Sequence, residues 1–289
     1  MYSFKKSAIF DYKYIKFNLQ KSILSKYFDE KYCNFTFMHM YLYKDNITII
    51  QDDSENYLGF IWTSRFNLGI NIEALYMEES VDLSTLQFCI TSSVFKNKNV
   101  FFCTEDNLSI FNKLELLGFV ETKNIIDMKI DDFGNFHIPE IKIPKEVTIK
   151  PFKFREDDAI RCTLQNDIFQ DINRIPLTIQ DIISEQKSIY YLSNGGFFIL
   201  FEDTYIGYGQ IINENYDYSI VNLGIIDEFK GKGYGKILTT YLMRHCQMNY
   251  DDINTLKLKV DKNNSVARKL YSSLGFEEFD SQIIWKLRN

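Results

Sequence analysis

Near the C-terminal end, Lys230-Gly231-Lys232-Gly233-Tyr234-Gly235-Lys236 sets three glycines among three lysines, between an apolar strand-like run and a helix-like one. Alternating glycines leave backbone N–H groups uncovered and able to converge. A helix opening directly behind them adds its own free N–H groups and its positive end. The lysines add mobile positive charge, as a pyrophosphate requires. Further on, Asn264-x-x-Ala267-x-x-Leu270-Tyr271-x-x-x-Gly275-Phe276 places a tyrosine hydroxyl behind the loop, able to hand over a proton. Together the two clusters suggest an enzyme that uses a nucleotide-bearing acyl donor.

Other nucleotide sites fit poorly. A Walker loop needs G-x-x-x-x-G-K-[ST], which this loop lacks. A dinucleotide site would stand at the start of a β-α-β unit, with an acidic ribose ligand farther on. This loop instead follows several strands.

At 289 residues the chain is long enough for two domains, and 45% apolar with 16% aromatic content predicts well-packed cores. The net charge is −6, and acidic side chains outnumber basic ones in both halves. Nucleic acid is therefore not an expected partner. No apolar stretch approaches the roughly 20 residues of a bilayer span, and no apolar run follows the basic residues near Met1. The reading is a cytoplasmic protein without a membrane partner, monomeric or homodimeric. Cys33, Cys89, Cys103, Cys162 and Cys246 are scattered without C-x-x-C spacing, which suits reduced thiols. His39, His137 and His245 form no ligand motif, so no metal is expected.

Pro139, Pro144 and Pro151 mark a connector, and the chain begins afresh after it. We expect domains at 1–138 and 148–289. In the second, an edge strand begins at Thr148, and a helix carries Ile160, Leu164, Ile168 and Ile172 on one face. Phe197–Phe201 and Tyr205–Ile212 read as a hairpin, and Tyr218–Ile226 as a further strand. A helix runs from about Gly235 to Met248, Thr255–Val260 is a strand, and Ser265–Leu274 is a helix ended by Gly275. Gln282–Leu287 is expected to close this sheet. The fold class is α/β, with a mixed (α+β) sheet and helices packed on it.

The first half repeats this spelling faintly. Asn107 through Gly118-Phe119 parallels Asn264 through Gly275-Phe276, and Tyr57-Leu58-Gly59-Phe60 resembles Tyr205-Ile206-Gly207-Tyr208. An internal duplication follows. The first copy lacks the glycine loop, carries Glu78-Glu79 in that region, and has Leu114 where the second has Tyr271. It reads as a degenerate scaffold or substrate wall.

The run Leu223-Gly224-Ile225-Ile226 through Lys236 resembles the acyl-CoA-binding signature of the GCN5-related N-acetyltransferase (GNAT) superfamily, and the segment from Asn264 to Phe276 resembles its second common pattern. Lys230 stands where that signature has Arg or Gln. The resemblance covers residues 148–289 well and the first half faintly, and it implies a duplicated acyl-CoA N-acyltransferase fold.

It also implies direct acetyl transfer from acetyl-CoA to the primary amine of a small metabolite or amino-acid-like acceptor, with no covalent enzyme intermediate. The backbone around Leu223 and Ile225 would align the pantetheine and Asn264 would help hold it. Lys230, Gly231, Lys232, Gly233, Tyr234, Gly235 and Lys236 would hold the pyrophosphate, and Tyr271 would protonate the departing thiolate. Ser219 and Val221 share the side of Leu223 and are no bases. Asp217 and Glu214 are the nearest acids, and a water relay assisted by Asp217 is the expected route for the amine's proton. Two alternatives stand beside this: a CoA-binding regulatory module without catalysis, and an aminoacyl transferase of tandem fold.

Overall fold

The computed structural model describes residues 2–32, 35–66, 69–170, 175–214, 217–251 and 253–288, with the side chains of residues 66 and 214 outside that description. The chain folds as two compact units, Met1–Ile125 with Ser281–Asn289, and Ile126–Asp280.

The first unit holds β1 (Ser3–Lys6), α1 (Tyr12–Leu19), β2 (Ile23–Leu24), α2 (Phe28–Tyr32), α3 (Phe37–Tyr43), β3 (Ile47–Gln51), β4 (Tyr57–Phe66), β5 (Gly69–Met77), α4 (Leu83–Cys89), β6 (Val100–Glu105), α5 (Leu108–Leu116) and the start of β7 (Phe119–Asp131). β1, β3, β4 and β5 are antiparallel neighbours, and β6 joins β5 in parallel. Side chains alternate across the sheet. Phe60, Trp62, Ala74 and Tyr76 pack with Phe28, Tyr32 and Met40, whereas Ile61 and Leu75 pack with Leu86, Leu114 and Trp285. This period of two gives each face its own apolar layer.

The second unit takes the rest of β7, then β8 (Val147–Pro151), α6 (Asp158–Ile168), α7 (Ile179–Glu185), β9 (Tyr191–Phe201), β10 (Thr204–Glu214), β11 (Asp217–Ile225), α8 (Tyr234–Asn249), β12 (Thr255–Asp261), α9 (Ser265–Ser273) and the start of β13 (Glu277–Leu287). β8 to β11 run antiparallel in sequence order, and β12 lies parallel to β11. Phe197 and Ile199 meet Leu238 and Leu242 of α8 on one face, while Phe198 and Leu200 meet Leu164 and Ile168 of α6 on the other. Ile172, expected on the same helical face, lies outside the described residues.

Two features depart from the sequence reading. The Pro139–Pro144 segment lies within the second unit, where Phe133 and Ile138 are buried in its core. Gln282–Leu287 does not close the second sheet. Gln282 pairs with Glu105 and Lys286 with Phe101, antiparallel to β6 of the first unit, and Trp285 Nε1 donates to Thr104 Oγ1 at 3.0 Å. The alternation Ile283, Trp285, Leu287 specifies a buried face, but the same pattern fits any free sheet edge.

The duplication is written in the strand registers. Gly59 pairs with Met77 as Gly207 pairs with Ile225, and Ile70 meets Val100 as Tyr218 meets Leu256. α5 and α9 are both nine residues long, each capped by an asparagine side chain, Asn107 accepting from the Ser109 N–H and Asn264 from the Ala267 N–H. Among the described residues no helix is long and apolar enough to cross a membrane, and no His/Cys/Asp/Glu group could hold a metal.

Candidate functional site

β11 and β12 are paired only from Tyr218–Leu256 to Ile220–Leu258. Beyond that point they part, and a cavity of about 170 Å³ opens, lined by Phe169, Ile220, Val221, Asn222, Leu223, Leu258, Lys259 and Tyr271. The opening is set by a bulge. Gln210 pairs with Val221 and Tyr208 with Gly224, so Asn222 and Leu223 together face Gly209, and Asn222 takes the left-handed conformation at φ 54°. A bulge bends its strand and re-aims the side chains beside it. The simple alternation expected for Ser219, Val221 and Leu223 is broken here, since four consecutive residues from Ile220 to Leu223 reach the cavity.

Past Ile225 the chain enters the glycine loop. Gly231 and Gly233 have φ of 76° and 87°, and a Cβ at either would meet nothing within 4 Å. Positive φ is what lets the backbone turn its amides outward here. Gly233 caps α8, and the first bond of the helical ladder runs from the Ile237 N–H to the Gly233 carbonyl at 3.1 Å. The N–H groups of Tyr234, Gly235 and Lys236 stand ahead of that bond, at the positive end of a sixteen-residue helix. The turn is braced from behind: the Tyr234 ring lies 5.9 Å from Phe201 and 6.1 Å from Phe229. Lys232 sits over Phe229 at 4.9 Å, and exposed Lys230 pairs with Asp227. A Cβ on Gly235 would lie 3.9 Å from Ile225 and Leu270, so the loop adjoins the end of β11.

Tyr271 comes from α9. It is 8% exposed, in contact with Phe276, and burial pushes its hydroxyl up to about 12. The phenol therefore stays protonated through neutral pH. Asn264 spends its side-chain oxygen on the Ala267 N–H at 3.0 Å, so it anchors α9 and with it the position of Tyr271.

Asp217 lies at the paired end of β11, where Lys257 Nζ donates to its carboxylate at 2.6 Å; it is absent from the cavity lining among the described residues. The side chain of Glu214 lies outside the described residues. The carboxylate connected to the cavity is one that sequence reasoning missed. Glu185, the last residue of α7 and 21% exposed at its side chain, takes Asn222 Nδ2 on Oε1 at 3.4 Å and Arg161 Nη2 on Oε2. Arg161 is fully buried, bonded through Nε to Gln165 and set over the Tyr208 ring at 4.9 Å. Burial raises the Tyr208 hydroxyl well above its usual range despite that guanidinium. A buried cation that must be paired is a signal in principle, yet Arg161 and Glu185 are too far apart in sequence to be matched by spacing.

Residues 166–276 match the acetyltransferase (GNAT) family. Mycothiol acetyltransferase of Streptomyces coelicolor is 26% identical over 152 residues, 52% of this chain and 48% of that protein. The Kocuria rhizophila mycothiol acetyltransferase is 24% identical over 60% of each chain. The match thus spans about half of the curated relatives' length. Among solved structures, a GCN5-related N-acetyltransferase from Sphaerobacter thermophilus superposes with a TM-score of 0.61 over 99% of this chain and 95% of its own, at 12% identity. A tandem GNAT protein from the clavulanic acid biosynthesis pathway gives 0.53 over 83% and 81%, at 9% identity. Both halves of the molecule therefore share a tandem form of this fold.

Proposed function

We propose that this chain, whose residues 166–276 match the acetyltransferase (GNAT) family, transfers the acetyl group of acetyl-CoA to the primary amine of a small metabolite or amino-acid-like acceptor. The observation that carries this reading is the buried hydroxyl of Tyr271 in the gap between β11 and β12, with the glycine turn at the end of β11. The name of the curated relatives supports acetyl as the group transferred.

Acetyl-CoA would lay its pantetheine along the open edge of β11 past Ile220 and its pyrophosphate against the amides of residues 231–236, with the lysines of the loop adding charge. Backbone donors around Leu223 and Ile225 would polarise the thioester carbonyl. The amine nitrogen attacks that carbon, the C–S bond breaks, the leaving thiolate takes the proton of Tyr271, and the surplus proton on the nitrogen passes through water to restore the phenol. A thiolate confined in the same cavity is more basic than one in water, which brings it toward the raised range of the phenol.

The attacking ammonium must first lose a proton. Asp217 is engaged with Lys257 at the paired end of β11, whereas Glu185 reaches the cavity through Asn222. We assign Glu185 the acceptor-facing role, holding the amine's charge and passing its proton to water, with Asp217 farther out on the solvent side. The activity is placed in the cytoplasm, in a monomer or homodimer. A screen of primary amines against acetyl-CoA, following CoA thiol release, tests the reading. Turnover with at least one amine is expected, and folded protein that binds no acetyl-CoA by calorimetry would overturn it.

A further inference from the structure

The gap between β11 and β12 has a counterpart in the first unit, and there the strand edge is occupied, although a cavity of about 260 Å³ remains beside it, lined by residues 22–26, Glu105 and Asn107 among others. β6 pairs with β5 only from Ile70–Val100 to Ile72–Phe102, the register of Tyr218–Leu256 to Ile220–Leu258 in the second copy. Past that point the edge of β5 is taken by β2, with Leu24 opposite Ala74 and Ile23 opposite Leu75. The following residues bridge to both strands. The Ser25 N–H donates to the Glu73 carbonyl at 2.7 Å, and the Lys26 N–H donates to the Cys103 carbonyl of β6 at 2.9 Å.

An extended ligand adds itself to an open sheet edge by bonding these same backbone groups. A pantetheine arm, with its two amides, is such a ligand, and here a strand of the chain already holds the edge. The plug is locked at Glu73, whose side chain is fully buried. Glu73 accepts from Ser25 Oγ at 2.9 Å, from Lys31 Nζ at 3.2 Å, from Asn71 Nδ2 at 3.2 Å and from Ser64 Oγ.

The helix that follows is occupied as well. Where α8 has Gly233 at its N-cap, α4 has Asp82, whose carboxylate accepts from the Ser84 N–H at 3.2 Å and from the Thr85 hydroxyl. A fixed negative charge there repels a pyrophosphate.

We infer that the first unit is a donor cleft filled by its own chain, with residues 23–26 lying where an acyl-CoA arm would lie, so that each chain takes up one acetyl-CoA, in the second unit. The inference rests on the proposed acetyl-CoA activity of that second unit.

Calorimetric titration of the full chain with acetyl-CoA separates the possibilities. One site per chain in the wild type, and no saturable site in folded Gly233→Val, is the expected result. Two sites in the wild type, one of them retained in Gly233→Val, would overturn the inference and leave the proposed function standing, whereas a single site retained in Gly233→Val would overturn both. No site in the wild type would overturn both. Amide hydrogen exchange gives a second readout independent of the variant. The Ser25 and Lys26 amides should exchange slowly and equally with and without saturating acetyl-CoA; loss of their protection on adding it would mean that the ligand displaces the plug.

Discussion

Tyr271 and Leu114 hold the same place in two copies of one helix: each is the seventh residue of nine, behind an asparagine N-cap, and each is buried. The packing requirement is thus met by either side chain, and what distinguishes the second copy is a hydroxyl in its cavity. Tyr271→Phe keeps the ring and its contact with Phe276. Turnover should fall about 10²- to 10⁴-fold, the range of general acid catalysis, while acetyl-CoA affinity changes less than about twofold, since one hydroxyl away from the pyrophosphate is removed. Single-turnover kinetics beside calorimetry would check both. Unchanged turnover removes Tyr271 from the mechanism.

Glu185 and Asp217 make opposite predictions. Asp217 is half exposed in a surface ion pair with Lys257, so Asp217→Asn should change kcat/KM for the amine less than about threefold, as suits a pair worth at most ~1 kcal/mol. Glu185→Gln keeps the shape but removes the charge. We expect the amine's KM to rise about tenfold or more, the equivalent of one charge-assisted contact, with acetyl-CoA affinity unchanged. Steady-state kinetics of the two variants with the same amine decides between them. A large effect at Asp217 and none at Glu185 would reverse the assignment.

What was legible in the sequence was local. The turn at Gly231 and Gly233 needed only the helix behind it, and α9 needed only its stop at Gly275, whereas Asn264, expected to help hold the pantetheine, caps α9 with its side-chain oxygen. The resemblance of Tyr57–Phe60 to Tyr205–Tyr208 survives as a shared strand register. Three features depended on distant partners and left no local mark. The bulge at Asn222 is defined by counting against Gly209. The destination of Gln282–Leu287 is set by which edge is free. The plug at Ile23–Leu24 is a two-residue strand, too short to carry a periodic signal. Glu185 belongs with these, because its role comes from Arg161 and Asn222.

Glu73 sets an acid limit on the first unit. Burial alone would raise its pKa, but hydrogen bonds from Ser64 and Asn71, the Lys31 ammonium and the Ser25 hydroxyl outweigh that and lower it. A carboxylate depressed in the folded state stabilises above the unfolded pKa, and that contribution is lost as pH falls through the folded value. The wild type should therefore lose urea resistance steadily below about pH 4.5. Glu73→Gln should be less stable at pH 7 by about 1.5–3 kcal/mol and show a flatter acid slope. Urea midpoints across pH 3–7 provide the measurement; parallel slopes would mean that Glu73 is not depressed.

Gly224 lets α6 approach the bulged strand. A Cβ there would fall 2.1 Å from Ile168 Cγ2 and 3.5 Å from the ring of Phe169, a cavity-lining residue. Ile168 ends α6 and packs in the cluster with Phe198 and Tyr208, so it has little room to retreat. Gly224→Ala should destabilise by about 1–3 kcal/mol through overpacking. Ile168→Ala removes the offending methyl and should itself cost about 2–5 kcal/mol as a cavity. In the double variant each change relieves the other, because the new methyl enters the space the old one leaves. The combined loss should fall short of the sum by at least about 1 kcal/mol. Denaturant midpoints of the two single variants and the double variant close the cycle. Strict additivity would show that Gly224 is not required by the approach of α6.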